Sequence, residues 1–413
     1  MILYIIYFLL SPKLWILTGI ASLFHSKIKI RKRNYSRLLD IAVEKINNTN
    51  KKVILFHAAS NGELEQIRPL FRIINKEDYF IMLTISSPSS YNHIPTNEID
   101  AFCYQSFDFP WSVYNFFRKV KPHKYIITRH DIWPNHIVLS KIFCDNLYLI
   151  NANLPKFSKR LYPIVITLYS YIFSFFTKIY TVSKEMSDKL ENIIDPDKIK
   201  IFGDTRFEQI KYRFRNNNLI TPIYKDSKNI LFGSIDEYDI PIIFKSLKND
   251  YMNINSPKLI FVPHEPNTKM ISIIERKLME LSISSIRFSN MRKSIDENKF
   301  GAIIIDKVGI LAESYKFSTI SYIGCGFSKG VHNVVEPAIY GNIICFGPNY
   351  EILNEAVELV NRKLAFPVNN SEELSGTLKL INENDQIDKY KIKLNKYLLD
   401  QSKFSEKIVG DIF

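Results

Sequence analysis

Cysteine is scarce in this chain, with four thiols in 413 residues. Cys103, Cys144, Cys325 and Cys345 are widely scattered, and no pair has metal-ligand spacing. That excludes a zinc module and a disulfide-stapled fold, and it fits reduced structural thiols of a cytosolic domain. The eight histidines form no cluster in sequence, so no metal is expected. Internal repeats and low-complexity segments are absent. Also missing are zinc-ligand spacing, a recognition-helix signature and an aromatic RNA-binding motif. The net charge of +13 is therefore not read as a nucleic-acid footprint.

Acidic residues are absent from residues 1–37, which hold seven basic ones: Lys13, Lys27, Lys29, Arg31, Lys32, Arg33 and Arg37. Ahead of the basic cluster stand 24 residues, MILYIIYFLLSPKLWILTGIASLF, with Lys13 as their one charge. The stretch is long enough to touch or cross a bilayer core. Pro12 and Lys13 interrupt it, which argues against a clean span. No small-residue cleavage site follows, so a removed signal peptide is not expected. The pattern fits an anchor on an anionic inner-leaflet surface, since each basic residue there contributes ~1 kcal/mol. A spanning helix with the rest of the chain cytoplasmic is one alternative, and a buried first helix with a solvated basic loop is the other.

A hydrophobic fraction of 46% is ordinary for a globular chain, and the length predicts two domains at ~100–200 residues each. Apolar runs alternate with helical patterns in both halves. Strands are predicted at 53–57, 81–85, 124–128, 147–151 and 178–182, with helices over 61–75 and 111–120. A second series places strands at 229–233, 259–262, 284–287, 302–305, 319–323 and 343–346. This alternation predicts an α/β chain of parallel sheets with right-handed crossovers. The expected division is an anchor with its basic flank (1–33), an N-terminal α/β domain (34–210), a linker (211–228), a C-terminal α/β domain (229–384) and a final charged helix (385–413). Two doubly wound Rossmann-like domains facing a cleft would bind ligands outside the carboxyl ends of their strands.

Residues 322–350, YIGCGFSKGVHNVVEPAIYGNIICFGPNY, read as strand, glycine loop, helix and strand. Glycines let a backbone approach a ligand, and a helix N-terminus offers free N–H groups to a phosphate. Asn333 and Glu336 fall in the first turn of that helix, where both can face one ligand. Such turns are also common in α/β proteins that bind nothing there. In the N-terminal half, HAASNGELEQIRPL places Glu63 at a strand-to-helix turn. There, N–H dipoles hold a carboxylate ionised for general-base work or use it as a simple cap.

Together with DIWPN (131–135), INANL (150–154), GDTRFEQI (203–210), FVPHEPN (261–267), DKVGILAESY (306–315) and GFSKGVHNVVEPA (326–338), these segments resemble the Kdo (3-deoxy-D-manno-octulosonic acid) transferases of glycosyltransferase family 30. GDTRF, PHE and the last segment are similar to the Bacteroidetes-type versions. The resemblance implies a GT-B fold, CMP-Kdo as donor, a lipid A precursor as acceptor, and inversion without a metal or cofactor. It assigns Glu63 as the base, with Asp131 supplying a second carboxylate. On the donor side it assigns Arg206, Ser234, Pro263, His264, Gly309, Ile310, Leu311, Gly326, Lys329, Asn333 and Glu336. Ser60, Asn61 and Gly62 would face the acceptor. The expected location is the cytoplasmic face of the inner membrane. Departures from the family's pattern are Arg129, His130 and Asp131 before Trp-Pro, Ser234-Ile235-Asp236, and Cys325 in place of a usual glycine. The alternatives are another GT-B nucleotide-sugar enzyme, such as an epimerase, and a degenerate lipid A-binding protein.

Overall fold

The computed structural model describes all residues except 130, 145, 154–162, 217–223, 225–227, 251–256 and 292–298. The chain divides into two compact units, Met1–Gln209 with Gln401–Phe413, and Ile210–Asp400.

The first unit opens with α1 (Ile2–Phe24) and α2 (Ser26–Asn47). It continues as β1 (Lys52–Ala58), α3 (Asn61–Ile73), β2 (Tyr79–Ile85), β3 (Ala101–Tyr104), α4 (Pro110–Val120), β4 (Lys124–Thr128) and α5 (Pro134–Ser140). Then follow β5 (Asn146–Ala152), α6 (Pro163–Phe173), β6 (Lys178–Thr181), α7 (Lys184–Glu191), β7 (Ile199–Ile201) and the start of α8 (Arg206–Asn216). Its seven parallel strands run β3-β2-β1-β4-β5-β6-β7. β1 and β4 are buried along almost their whole length, as helices on both faces of a parallel sheet require. The order reverses between β1 and β4, where a doubly wound sheet opens a crevice beyond its carboxyl ends.

The second unit repeats the plan. Its elements are β8 (Asn229–Ile235), α9 (Asp239–Asp250), β9 (Lys258–Pro263), α10 (Thr268–Glu280), β10 (Ser285–Arg287), β11 (Ala302–Ile304), α11 (Leu311–Ser314) and β12 (Ile320–Ile323). α12 (Val335–Ile339), β13 (Ile343–Phe346), α13 (Asn354–Asn361), β14 (Phe366–Pro367), α14 (Ser371–Leu378) and α15 (Asn384–Asp400) complete it. The parallel order β10-β11-β9-β8-β12-β13-β14 reverses between β8 and β12.

Three local expectations need correction. The final segment is two helices rather than one. α15 stays in the second unit, and α16 (Phe404–Ile412) joins the first. Lys403 takes a left-handed φ of 63°, which breaks the helix. Glu208 then accepts from the Ser405 N–H at 3.2 Å, and Asp411 pairs with Lys178 at 3.1 Å. Second, the segment read as a linker begins as helix, because α8 runs to Asn216; most of its remainder lies outside the described residues. Third, α1 passes through Pro12 unbroken. One proline removes one hydrogen bond of the ladder, which is too little to stop a helix of 23 residues. The short strands β3, β7 and β14 carry too few residues to show a pattern in sequence.

Candidate functional site

In the first unit the crevice at β1 and β4 gathers the predicted catalytic carboxylates. β1 ends at Ala58, and Ser60 caps α3 by accepting from the Glu63 N–H at 3.4 Å. Glu63 Oε2 reaches back and accepts from the Ala59 N–H at 2.6 Å. This is the reciprocal arrangement of a capping box. The capping reading of Glu63 is therefore correct for one oxygen. Oε1 has no hydrogen-bond partner among the described residues. Burial pushes the Glu63 carboxyl up, and the Ala59 N–H and the nearby His57 partly offset it. Ser60, Asn61 and Gly62 are exposed in front of this buried carboxyl.

Asp131 follows β4 and is held from three sides. His57 Nε2 lies 2.8 Å from Oδ2, Ser86 Oγ donates to Oδ2 at 3.1 Å, and Trp133 Nε1 donates to Oδ1 at 3.0 Å. Burial works to raise its carboxyl; the His57 contact, with Trp133 and Ser86, outweighs this and holds it well below the usual range. Arg129, at a left-handed φ of 62°, contributes positive charge toward Glu63, while His130 lies outside the described residues. His57 was read only as the end of a strand. Its strand-terminal place in the HAASNGE segment was the available signal.

Arg206 is placed differently from expectation. It opens α8 with its Nη2 3.8 Å from Asp204 Oδ2, while its backbone N–H donates to Asp204 Oδ1 at 2.8 Å. Gln66 donates to the same Asp204 at 2.9 Å, and the Asn151 side chain accepts from the Thr205 N–H at 3.1 Å. The GDTR and INAN segments therefore tie β5, α3 and α8 to one another.

In the second unit a pocket of about 620 Å³ opens beyond β8, β9 and β12. Asp236, Tyr238, His264, Asn267, Cys325 and Lys329 are among its lining residues. Ser234 stands behind it at a left-handed φ of 56°, its Oγ 2.8 Å from His264 Nδ1. The His264 ring stacks on His332 at 5.1 Å. Pro263 ends β9 and delivers His264 to the pocket. His264 and Lys329 thus line one pocket, with Ser234 behind His264. Tyr238, Asn267 and Lys269 join them without having been singled out, as does Asp236, which was named only as a departure from the family's pattern.

The glycine loop works otherwise than expected. A β-carbon on Gly326 would sit 2.5 Å from the Gly347 nitrogen, and one on Gly324 would overlap the Ser234 carbonyl oxygen. These glycines admit neighbouring backbone. Asp239 closes the loop by accepting from the Cys325 N–H at 2.8 Å and the Asp236 N–H at 2.9 Å. α12 is also a poorer anion site than predicted. It has five residues, and Asn333 Oδ1 already accepts from the Val335 and Glu336 N–H groups at 3.0 and 3.3 Å. The Glu336 carboxylate lies 3.8 Å from Arg213. Neither Asn333 nor Glu336 is among the pocket's lining residues. Nor are Gly309, at φ 85°, Ile310 and Leu311, which lead into α11 after β11.

Among the described residues, two donor sets could approach a metal ion: His264, Cys325 and His332, and Asp236, Asp239 and Cys325. The second is already committed, because Asp239 also accepts from Tyr322 at 2.7 Å. In the first, burial pushes the Cys325 thiol up to about 12, and Sγ donates to the Ser234 carbonyl at 3.3 Å. The thiol proton is thus engaged with that backbone carbonyl.

Residues 32–209 match the family described as 3-Deoxy-D-manno-octulosonic-acid transferase (kdotransferase). Over that segment the chain resembles the Kdo transferase family. It is 28% identical over 338 residues to the 3-deoxy-D-manno-octulosonic acid transferase of Aquifex aeolicus (strain VF5), covering 78% of this chain and 84% of that one. Against the enzyme of the same name from Rickettsia bellii (strain RML369-C), identity is 23% and coverage is 96% of both chains. The fold is shared with a solved glycosyltransferase from Rickettsia africae ESF-5, with a TM-score of 0.57 at 12% identity over 88% of this chain and 98% of that one. It is also shared with the UDP-GlcNAc 2-epimerase of Neisseria meningitidis, with a TM-score of 0.57 at 14% identity over 87% and 98%. The two doubly wound units of this chain are thus of GT-B type.

Proposed function

We propose that this protein transfers Kdo from CMP-Kdo to the primary hydroxyl of a lipid A precursor, inverting the anomeric centre, with Glu63 as general base. The observation that carries this reading is the Glu63 carboxyl, buried at the β1 crevice with Oε2 pinned and Oε1 left for a substrate proton. The family match over residues 32–209 supports the sugar. A CMP leaving group needs its charge met by cations and N–H groups, and Lys329 and Lys269 at the second unit's pocket supply such cations. Asp131 supplies a second carboxylate beside the base.

The epimerase reading rests on fold alone, so a donor panel tests the proposal. Product should form from CMP-Kdo, with the anomeric configuration inverted by NMR. Epimerisation of UDP-GlcNAc without transfer would contradict it. Transfer should also persist in EDTA, and strict dependence on added Mg²⁺ would overturn the metal-free mechanism. Because burial raises the Glu63 carboxyl, the base is lost by protonation as pH falls, starting above the ordinary glutamate range. The pH profile of kcat/KM should show that acid limb. A flat profile down to the usual carboxylate range would remove Glu63 from the role.

The reading places the protein on the inner face of a membrane. α1 leaves Leu9, Leu17, Leu23 and Phe24 exposed, at 69, 59, 75 and 79%, and the basic residues of α2 follow it. Its Tyr4 and Tyr7 hydroxyls donate to Asn135 and Asp108 at 3.1 and 2.8 Å, and Trp15 meets Trp111 edge-on at 6.5 Å. These contacts favour a helix lying along its own unit over one that leaves it to cross a bilayer. They also make truncation a poor test, because Arg31 donates to the Gln105 and Ser106 carbonyls. Changing Leu9, Leu17 and Leu23 to Ser should instead weaken co-sedimentation with anionic liposomes by roughly tenfold or more, from ~1.5–3 kcal/mol per buried Leu discounted for shallow insertion. Unchanged binding would dispose of the anchor.

A further inference from the structure

Cys325 stands where two groups of potential ligands meet in the second unit's pocket. Its sulfur lies within 4.8 Å of ring nitrogens of His264 and His332, which are within that distance of each other. It also lies within 4.8 Å of a carboxylate oxygen of Asp236. Asp239, the other carboxylate there, is taken up by the Tyr322 hydroxyl and two backbone N–H groups. Asp236 keeps room for a further bond. It accepts from the Tyr238 N–H at 2.9 Å, the Asp239 N–H at 3.3 Å and the Ser328 hydroxyl, against about four lone-pair directions in a carboxylate. Both imidazoles are exposed, and His264 Nδ1 lies 2.8 Å from Ser234 Oγ. That contact orients the ring through one nitrogen and leaves the other, as in a supported metal-bound histidine. The backbone adds an independent observation. Cys325 takes a left-handed φ of 62°, which glycine would adopt without strain, so a side chain is kept where the backbone favours none.

We propose that His264, Cys325 and His332, with Asp236 as fourth donor, form a binding site for Zn²⁺ that inhibits the protein. Two imidazoles, a thiolate and a carboxylate are a set that suits zinc and not magnesium or calcium. In a tetrahedral zinc site with bonds of about 2.0–2.3 Å the donors stand about 3.3–3.8 Å apart, so side-chain torsions of two exposed histidines suffice to close this one. On binding, the thiol releases its proton to solvent, gives up its bond to the Ser234 carbonyl, and donates a sulfur pair to the ion. Lys329, on the same pocket wall, opposes the cation, and the Asp236 carboxylate offsets it. The ion plays no part in the chemistry. It occupies the space in which the donor's anionic groups are proposed to sit, and so excludes them; this consequence rests on the reading of the pocket as the donor site. Transfer that persists in EDTA agrees with such a role.

The test is titration of the full-length, chelator-treated protein with Co²⁺ as a spectroscopic probe and Zn²⁺ as its competitor. A thiolate-to-cobalt charge-transfer band, intense visible bands of tetrahedral Co²⁺ and proton release are expected, all reversed by Zn²⁺. A weak octahedral spectrum without the thiolate band would overturn the site. Cys325→Gly should lose that band. Cys325→Gly and His332→Ala should each weaken Zn²⁺ binding by at least the ~10–100-fold that loss of a mere supporting group costs. Wild-type affinity in both variants would also overturn it. His332 is exposed, so His332→Ala keeps the test open should Cys325→Gly not fold. In transfer assays Zn²⁺ should raise KM for CMP-Kdo and leave kcat alone, with less effect on Cys325→Gly. Tight Zn²⁺ binding with an unmoved KM would overturn the inhibitory role. If the wild-type protein transfers no Kdo at all, the reaction proposed above fails, and the cobalt spectrum still decides the site.

Discussion

Glu63→Gln is expected to lower kcat for Kdo transfer by roughly 10²–10⁴-fold, the usual contribution of a positioned general base. The substitution separates the two duties of this side chain. As a cap, Glu63 accepts from the Ala59 N–H through Oε2, and a glutamine oxygen accepts the same bond. As a base, it must take a proton, which an amide cannot do at neutral pH. Stability should therefore change by less than the ~1 kcal/mol typical of a lost cap, and donor binding should be unchanged. A variant with wild-type kcat would return Glu63 to a purely capping role. It would also favour the view that the protein binds a lipid A precursor without turning it over.

Gly326→Val should be among the most damaging substitutions to the fold of the second unit. A β-carbon there would lie 2.5 Å from the Gly347 nitrogen and 2.7 Å from its α-carbon, and backbone on both sides leaves no flexible side chain to yield. Overpacking of this kind typically costs ~1–3 kcal/mol, and more where backbone must move. The Asn349 N–H donates to the Gly326 carbonyl at 2.9 Å, so separating the two loops also breaks that bond. Thermal or urea unfolding should report a loss of at least that size, with the pocket around His264 and Lys329 disturbed along with it. Gly376, on α14, has open space around its missing β-carbon, and Gly376→Ala is the control expected to be neutral or mildly stabilising. Equal stability of Gly326→Val and wild type would show that the two loops do not pack as described.

Much of the architecture was legible because parallel strands buried on both faces write themselves as apolar runs. Val53–His57, Lys124–Thr128 and Ile343–Phe346 are such runs, and each lies within an observed strand. β14, with two residues, offers no period to read. The break between α15 and α16 turns on one left-handed residue, Lys403, which is not a residue type that announces a turn. At the candidate site, motif residues were found but their partners were not. Glu63 and Asp131 were visible as carboxylates near strand ends. That His57 bridges β1, β2 and the loop after β4 depends on strand order, which brings together residues 27 and 74 positions apart. The same holds for Asp239. Its carboxylate gathers two N–H groups and the Tyr322 hydroxyl from across the β8–β12 switch point, and nothing in its local sequence marks it. The glycine loop misled for a related reason, since a glycine needed for backbone contact and one needed for ligand contact look alike in sequence.

The measurement that bears most directly on the central claim is mass spectrometry of a lipid A precursor after incubation with the purified protein, CTP, Kdo and a CMP-Kdo synthetase. The account predicts a gain of one or more Kdo units that disappears without CTP and falls steeply with Glu63→Gln. An unmodified acceptor, with folded protein and proven CMP-Kdo supply, would contradict it.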